Sequence, residues 1–166
     1  MIGALKRIFS EQCNAEDRSS DDSRRLAAAA LLVEVARADF EQGAEEDASM
    51  ATLLRDNLDL SEEQVNELLE QAGSAVDQAT SLYEFTRAIN DYYEPGDKVK
   101  LISDLWRVAY ADSSLDKYEE HIIRRVADLI YVPHEDFIRT KLEVRQAVLG
   151  ALQQVPPNPG SPPDTA

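Results

Sequence analysis

One acidic phrase occurs twice in this chain. Residues 35–49 read VARADFEQGAEEDAS and residues 108–122 read VAYADSSLDKYEEHI. A shift of 73 positions superposes Leu32 on Leu105, Val35 on Val108, Ala36 on Ala109, Asp39 on Asp112 and Glu46 on Glu119. With one residue deleted, LDLSEEQV then falls on IYVPHEDF, a turn and a new helix in both places. The repeated unit is helix, acidic loop, helix, turn, helix, over about residues 25–70 and 98–142. Neither unit can cover its own apolar stripe, so the two are expected to pack about a pseudo-two-fold axis.

The position of each aspartate is the informative part of the phrase. Leu32, Val35, Ala36 and Asp39 follow the i, i+3, i+4, i+7 spacing of one helix face, and Leu105, Val108, Ala109 and Asp112 repeat it. Each Asp thus takes the next slot of a core-facing stripe. It also stands at a helix C-terminus, where the dipole disfavours negative charge by about 0.3–1 kcal/mol. A carboxylate so placed needs a partner. Three kinds are open: backbone N–H groups of the next helix, an arginine such as Arg37, Arg124 or Arg125, or a divalent cation shared with the downstream acids.

The donor sets are Asp39, Glu41, Glu45 and Glu46 in the first copy, and Asp112, Asp116, Glu119 and Glu120 in the second. Asp39, Glu46, Asp112 and Glu119 recur at matched positions and are the first choices; Glu45, Asp116 and Glu120 are additional ligands. All are oxygen donors, which suits a hard ion, Ca²⁺ or Mg²⁺, rather than zinc. The loops are not EF-hands, because Met50 and Ile123 stand at the twelfth position, where a bidentate Glu is required.

Composition narrows the rest. The chain of 166 residues is 43% hydrophobic, with few aromatics and little Gly, which favours a single all-α domain. The net charge of −15 argues against nucleic acid as a partner. Residues 39–70 carry eleven acids and one base, whereas 98–145 carry nine of each sign. That acidity suits a cation, a basic protein partner, or a solvated helix face. Cys13 alone cannot form an internal disulfide, no apolar run approaches a membrane span, and the opening MIGALKRIFSEQC lacks a secretory signal, so a cytoplasmic location is expected.

Along the chain, residues 2–12 form a short amphipathic helix, with Ile2, Leu5, Ile8 and Phe9 on one side and Lys6 and Arg7 on the other. It can dock on the main domain or touch an anionic membrane surface weakly. Residues 14–22 read as a polar linker, so 1–22 form an N-terminal appendage to a helical domain over 23–153. Helices are expected over about 23–39, 45–58, 62–79, 82–93, 97–111, 116–130 and 133–153. Capping boxes are expected at Ser61 with Gln64 and at Ser81 with Glu84, EPGD forms a turn, and Pro133 takes a first helical position. The Pro-rich 154–166 is expected to be a disordered tail. The architecture is a bundle of seven or eight helices.

Catalysis finds little support. His121, His134 and Cys13 stand at no motif spacing with one another, and nothing marks a substrate pocket for a metal-dependent hydrolase. Trp106 is assigned to the core, with Tyr92, Tyr93, Tyr110 and Tyr118 in the core or at its rim.

The doubled VAxAD…EE phrase in an all-helical chain of this size resembles the tellurite-resistance TerB-like family, over about residues 25–145. The resemblance implies an all-α, internally pseudo-symmetric, non-enzymatic module with an acidic, metal-binding surface. It further implies a role beside stress-response or membrane-associated complexes in bacteria. By position it carries the family's acids to Asp39, Glu46, Asp112 and Glu119. The family has Gly after each Asp; Phe40 and Ser113 stand there instead, which changes the turn these loops can make. Two Met and one Cys provide no cluster of soft ligands for tellurite itself.

Overall fold

A computed structural model describes residues 15–38, 44–111 and 115–153, with side chains at 21–38, 47–111, 115–151 and 153. Seven helices account for them: α1 Ala15–Ala36, α2 Ala44–Leu58, α3 Glu62–Gln78, α4 Tyr83–Tyr92, α5 Pro95–Ala109, α6 Lys117–Leu129 and α7 His134–Gln153. No strand occurs among the described residues. The expected N-terminal helix over 2–12 and the tail over 154–166 lie outside the described residues, as do Asp39, Glu41 and Asp112.

The repeat is visible in the packing. α1 lies on α2 and α3, and α5 lies on α6 and α7. α2 also touches α3, as α6 touches α7. Across the copies α1 meets α5, while α2 reaches α5 just as α6 reaches α1. Each of these contacts thus has a counterpart under exchange of halves. α4 is the connector, and it rests on α1 and α6. Its Asn90 side chain donates to the Leu129 carbonyl at 2.9 Å and accepts from Lys98 Nζ at 3.0 Å, tying the end of α6 to the start of α5.

Backbone hydrogen bonds repeat as well. At the end of α1, Arg37 N–H donates to Val33 O at 3.0 Å and Ala38 N–H to Val35 O at 3.1 Å. Seventy-three positions on, Tyr110 N–H donates to Trp106 O at 2.9 Å and Ala111 N–H to Val108 O at 3.1 Å. α2 and α6 both close with a six-to-one bond, Leu60 N–H to Arg55 O and Val132 N–H to Ala127 O. Each of these Schellman ends has its turning residue in left-handed backbone: Asp59 at φ 52° and Tyr131 at φ 62°. Neither is Gly, so the shared geometry is imposed by the fold rather than by residue preference.

The stripes seen in the sequence form the core. Leu32, Val35 and Ala36 are buried, as are Leu105, Val108 and Ala109. Trp106 is fully buried and packs on Phe137 at 5.1 Å and Tyr110 at 6.2 Å between ring centroids. Tyr93 is half-buried under the Arg24 guanidinium, whereas Tyr92 and Tyr118 are exposed at the rim.

Three local expectations need correction. Helix α1 begins at Ala15, so residues 15–22 are helix rather than linker. No Gly or Pro interrupts residues 4–42, and Glu16 and Asp17 suit a helix N-terminus. The Ser81–Glu84 capping box does not form. Leu82 is already helical at φ −62°, ψ −19°, and Ser81 Oγ accepts only from Tyr83 N–H at 3.3 Å. Finally, EPGD is no free turn: Pro95 is the first residue of α5, because its missing N–H costs nothing there. The Ser61–Gln64 box is present as expected, with Ser61 N–H to Gln64 Oε1 at 2.9 Å and Gln64 N–H to Ser61 Oγ at 3.3 Å.

Candidate functional site

The two acidic bends follow α1 and α5. At the first, the chain is described to Ala38 and again from Ala44, so Asp39 and Glu41 fall outside it. Glu45 and Glu46 occupy the first turn of α2, with their side chains beyond those described.

The second bend is described except for residues 112–114, which include Asp112. Asp116 is the N-cap of α6, and its Oδ1 accepts from Tyr118 N–H at 2.7 Å. Glu119 reaches back, its Oε2 accepting from Asp116 N–H at 2.9 Å. The pair is a reciprocal capping box that satisfies otherwise orphaned helix donors. Glu119 is also 1% exposed, so this cap holds a carboxylate inside the protein at the foot of the bend.

Glu120 points elsewhere. Its Oε1 accepts from Lys141 Nζ at 2.9 Å and lies 3.7 Å from Arg124, a cross-helix ion pair between α6 and α7. Glu120 is thus engaged by two cationic side chains in this structure. Among the described residues, no group of three or more Asp, Glu, His or Cys side chains is gathered as a metal would need. His121 is exposed on α6, and His134 stacks on Phe137 at 5.8 Å as a first-turn residue of α7.

A buried carboxylate outside both bends escaped the sequence reading. Asp104 is 6% exposed, in α5 at the seam between copies. Asn57 Nδ2 of α2 donates to its Oδ2 at 2.8 Å, and Arg107 lies 3.5 Å from its Oδ1. Burial pushes its carboxyl up to about 6, against the opposing pull of Arg107, Lys100 and the Asn57 bond. It lines a pocket of about 90 Å³ with Arg24, Tyr93, Asp97 and Lys100. The signal was there: Leu101, Asp104, Leu105 and Val108 share one face. Its counterpart in the first copy is Leu31, fully buried.

Among the described residues, no helix is long and apolar enough to cross a membrane. No curated protein and no solved structure matches the chain. Residues 25–142, well over half of the chain, match the family described as Tellurite resistance protein TerB. That span opens within α1 and closes within α7, taking in both copies and both acidic bends, and with it the chain belongs to the TerB family.

Proposed function

We propose that the chain is a non-catalytic TerB module that binds a divalent cation at its acidic bends and offers the acidic surface so organised to a protein partner in a bacterial stress response. The observation that carries this reading is Glu119. Buried to 1% exposure and held by the Asp116 N–H, it sets a carboxylate at the foot of an acidic bend, which suits a site where positive charge is taken up. The donor chemistry fits: Asp116 and Glu119 bring hard oxygens to the second bend, and Asp112 follows α5 there. In the first bend the matching residues are Asp39, Glu45 and Glu46. A bound Ca²⁺ or Mg²⁺ would neutralise these carboxylates and fix the bends.

Calorimetric titration with Ca²⁺, Mg²⁺ and Mn²⁺, paired with melting curves, tests the reading. Binding heat and a raised melting temperature are expected, both lost in Asp112→Asn. Absence of heat and of any shift with all three ions refutes it. The Asp116–Glu119 capping box favours a second reading, a structural adaptor whose acids only cap helices. In that case Glu119→Gln lowers stability equally with and without ions.

A further inference from the structure

The copies also differ on the outward faces of their last helices, α3 and α7. On α7, Glu135, Ile138, Leu142, Arg145 and Leu149 follow the alternating three-and-four spacing of a helix-pairing seam. All five side chains are exposed, Leu142 and Leu149 at 48% each. The repeat sets Glu63, Asn66, Glu70, Gly73 and Asp77 at the same positions of α3. None of these is a large apolar residue, so the unit folds without an apolar stripe at this place. Charge divides the two faces further. α3 carries five acids and no base, whereas α7 carries three of each in a chain of net charge −15. Of the two, only α7 can meet a copy of itself without setting acid against acid.

We propose that α7 pairs with the α7 of a second copy of this chain, antiparallel about a two-fold axis beside residue 140, to form a homodimer. The seam is self-complementary about that point, as a two-fold interface must be. Ile138 falls level with the partner's Leu142, and Leu142 with the partner's Ile138. On either side of this apolar centre Glu135 meets the partner's Arg145, and Arg145 the partner's Glu135. Among the described residues neither of the two is in an ion pair within the chain. A parallel pair would instead set glutamate on glutamate and arginine on arginine. Leu149 falls near the partner's Tyr131, a residue 80% exposed just before α7. Arg139 beside the seam is already held by Asp136 and Glu143 of its own helix. One helix stripe makes a small interface, so reversible association in the micromolar range is expected. The seam uses none of the bend acids and stands whether or not the bends hold a metal.

Sedimentation equilibrium of the full chain, from micromolar to millimolar concentration, tests this. A reversible dimer is expected, weakened at least about ten-fold by Leu142→Glu, a change at an exposed position. Glu135→Arg and Arg145→Glu should each weaken self-association at least about ten-fold, because each sets like charges together at both ends of the seam. An equal mixture of those two variants should associate again, since the opposed charges then match. A monomer throughout that range overturns the proposal, whether residues 2–12 cover the stripe or nothing does. A dimer indifferent to Leu142→Glu, or a mixture of the charge variants no more associated than either alone, overturns it as well.

Discussion

The two copies share a backbone and divide in how they fill it. Matched hydrogen bonds end α1 and α5, and matched left-handed residues end α2 and α6. Yet the second copy is wedged by Trp106 against Phe137, where the first has Val33 and Val65. The second also buries an acid, Asp104, where the first buries Leu31. Helix ends and apolar stripes are enough to specify the unit; the core between them is free to diverge. One copy fills its centre with an indole where the other sets a valine.

The largest test of that contrast is truncation. Trp106→Ala should cost roughly 4 kcal/mol in urea unfolding, because it removes a fully buried indole and leaves a void. Val33→Ala should cost only about 1.5 kcal/mol, since it deletes two methyls beside an existing pocket. Equal losses would break the comparison.

The next effect is a pH dependence that the Leu31 position cannot show. Asp104 binds its proton more tightly in the folded chain, near 6, than in the unfolded one, near the usual value of about 3.9. The stabilisation from protonation is therefore complete below about pH 4 and is lost as pH rises through about 6, roughly 3 kcal/mol in all. Asp104→Asn should flatten that part of the stability curve, measured by denaturant unfolding at stepped pH. A slope unchanged in the variant would assign it to other groups.

Capping comes third. Asp116→Ala should lower stability by about 1.5 kcal/mol, since it removes a charged cap that accepts from Tyr118 N–H at 2.7 Å, while Glu119 keeps its bond from the backbone N–H of residue 116. Ser61→Ala, at an exposed box, should lower it by about 1 kcal/mol. Thermal melts of the two variants rank them, and the reverse order would place the weight on the first copy. The smallest effect is a gain. Tyr131→Gly should stabilise by about 1 kcal/mol and Asp59→Gly by about 0.5 kcal/mol, because Asp tolerates left-handed backbone better than Tyr. Paired urea curves would show the difference.

The helices and the repeat were legible because apolar spacing is a local signal that survives in one dimension. Leu32, Val35 and Ala36 announce their face without any knowledge of what covers it. The start of α1 was misread because Ser19, Ser20, Asp21 and Asp22 look like linker residues, while the continuous absence of breakers was the better guide. Ser81 and Glu84 satisfied the capping pattern, but Leu82 turned helical first, a choice made by packing around α4. Asp104 lay in plain view on a core stripe; its partner Asn57 is 47 positions away, and no local pattern reports such a meeting. The contrast between Val33 and Trp106 was hidden for a related reason. It is a difference between two copies, visible only once their residues are placed in equivalent space. Of the expected site, Asp116 and Glu119 meet as a cap and Glu120 turns to Lys141.

Arg24 and Asp97 face one another at 3.5 Å, and they are separated by 73 residues, the period of the repeat itself. Each is therefore the other's counterpart. Two identical subunits meeting at this spot would confront arginine with arginine or aspartate with aspartate. Joined in one polypeptide, the halves can carry opposite charges there, and the seam gains a lock that no symmetric pair of separate molecules could make.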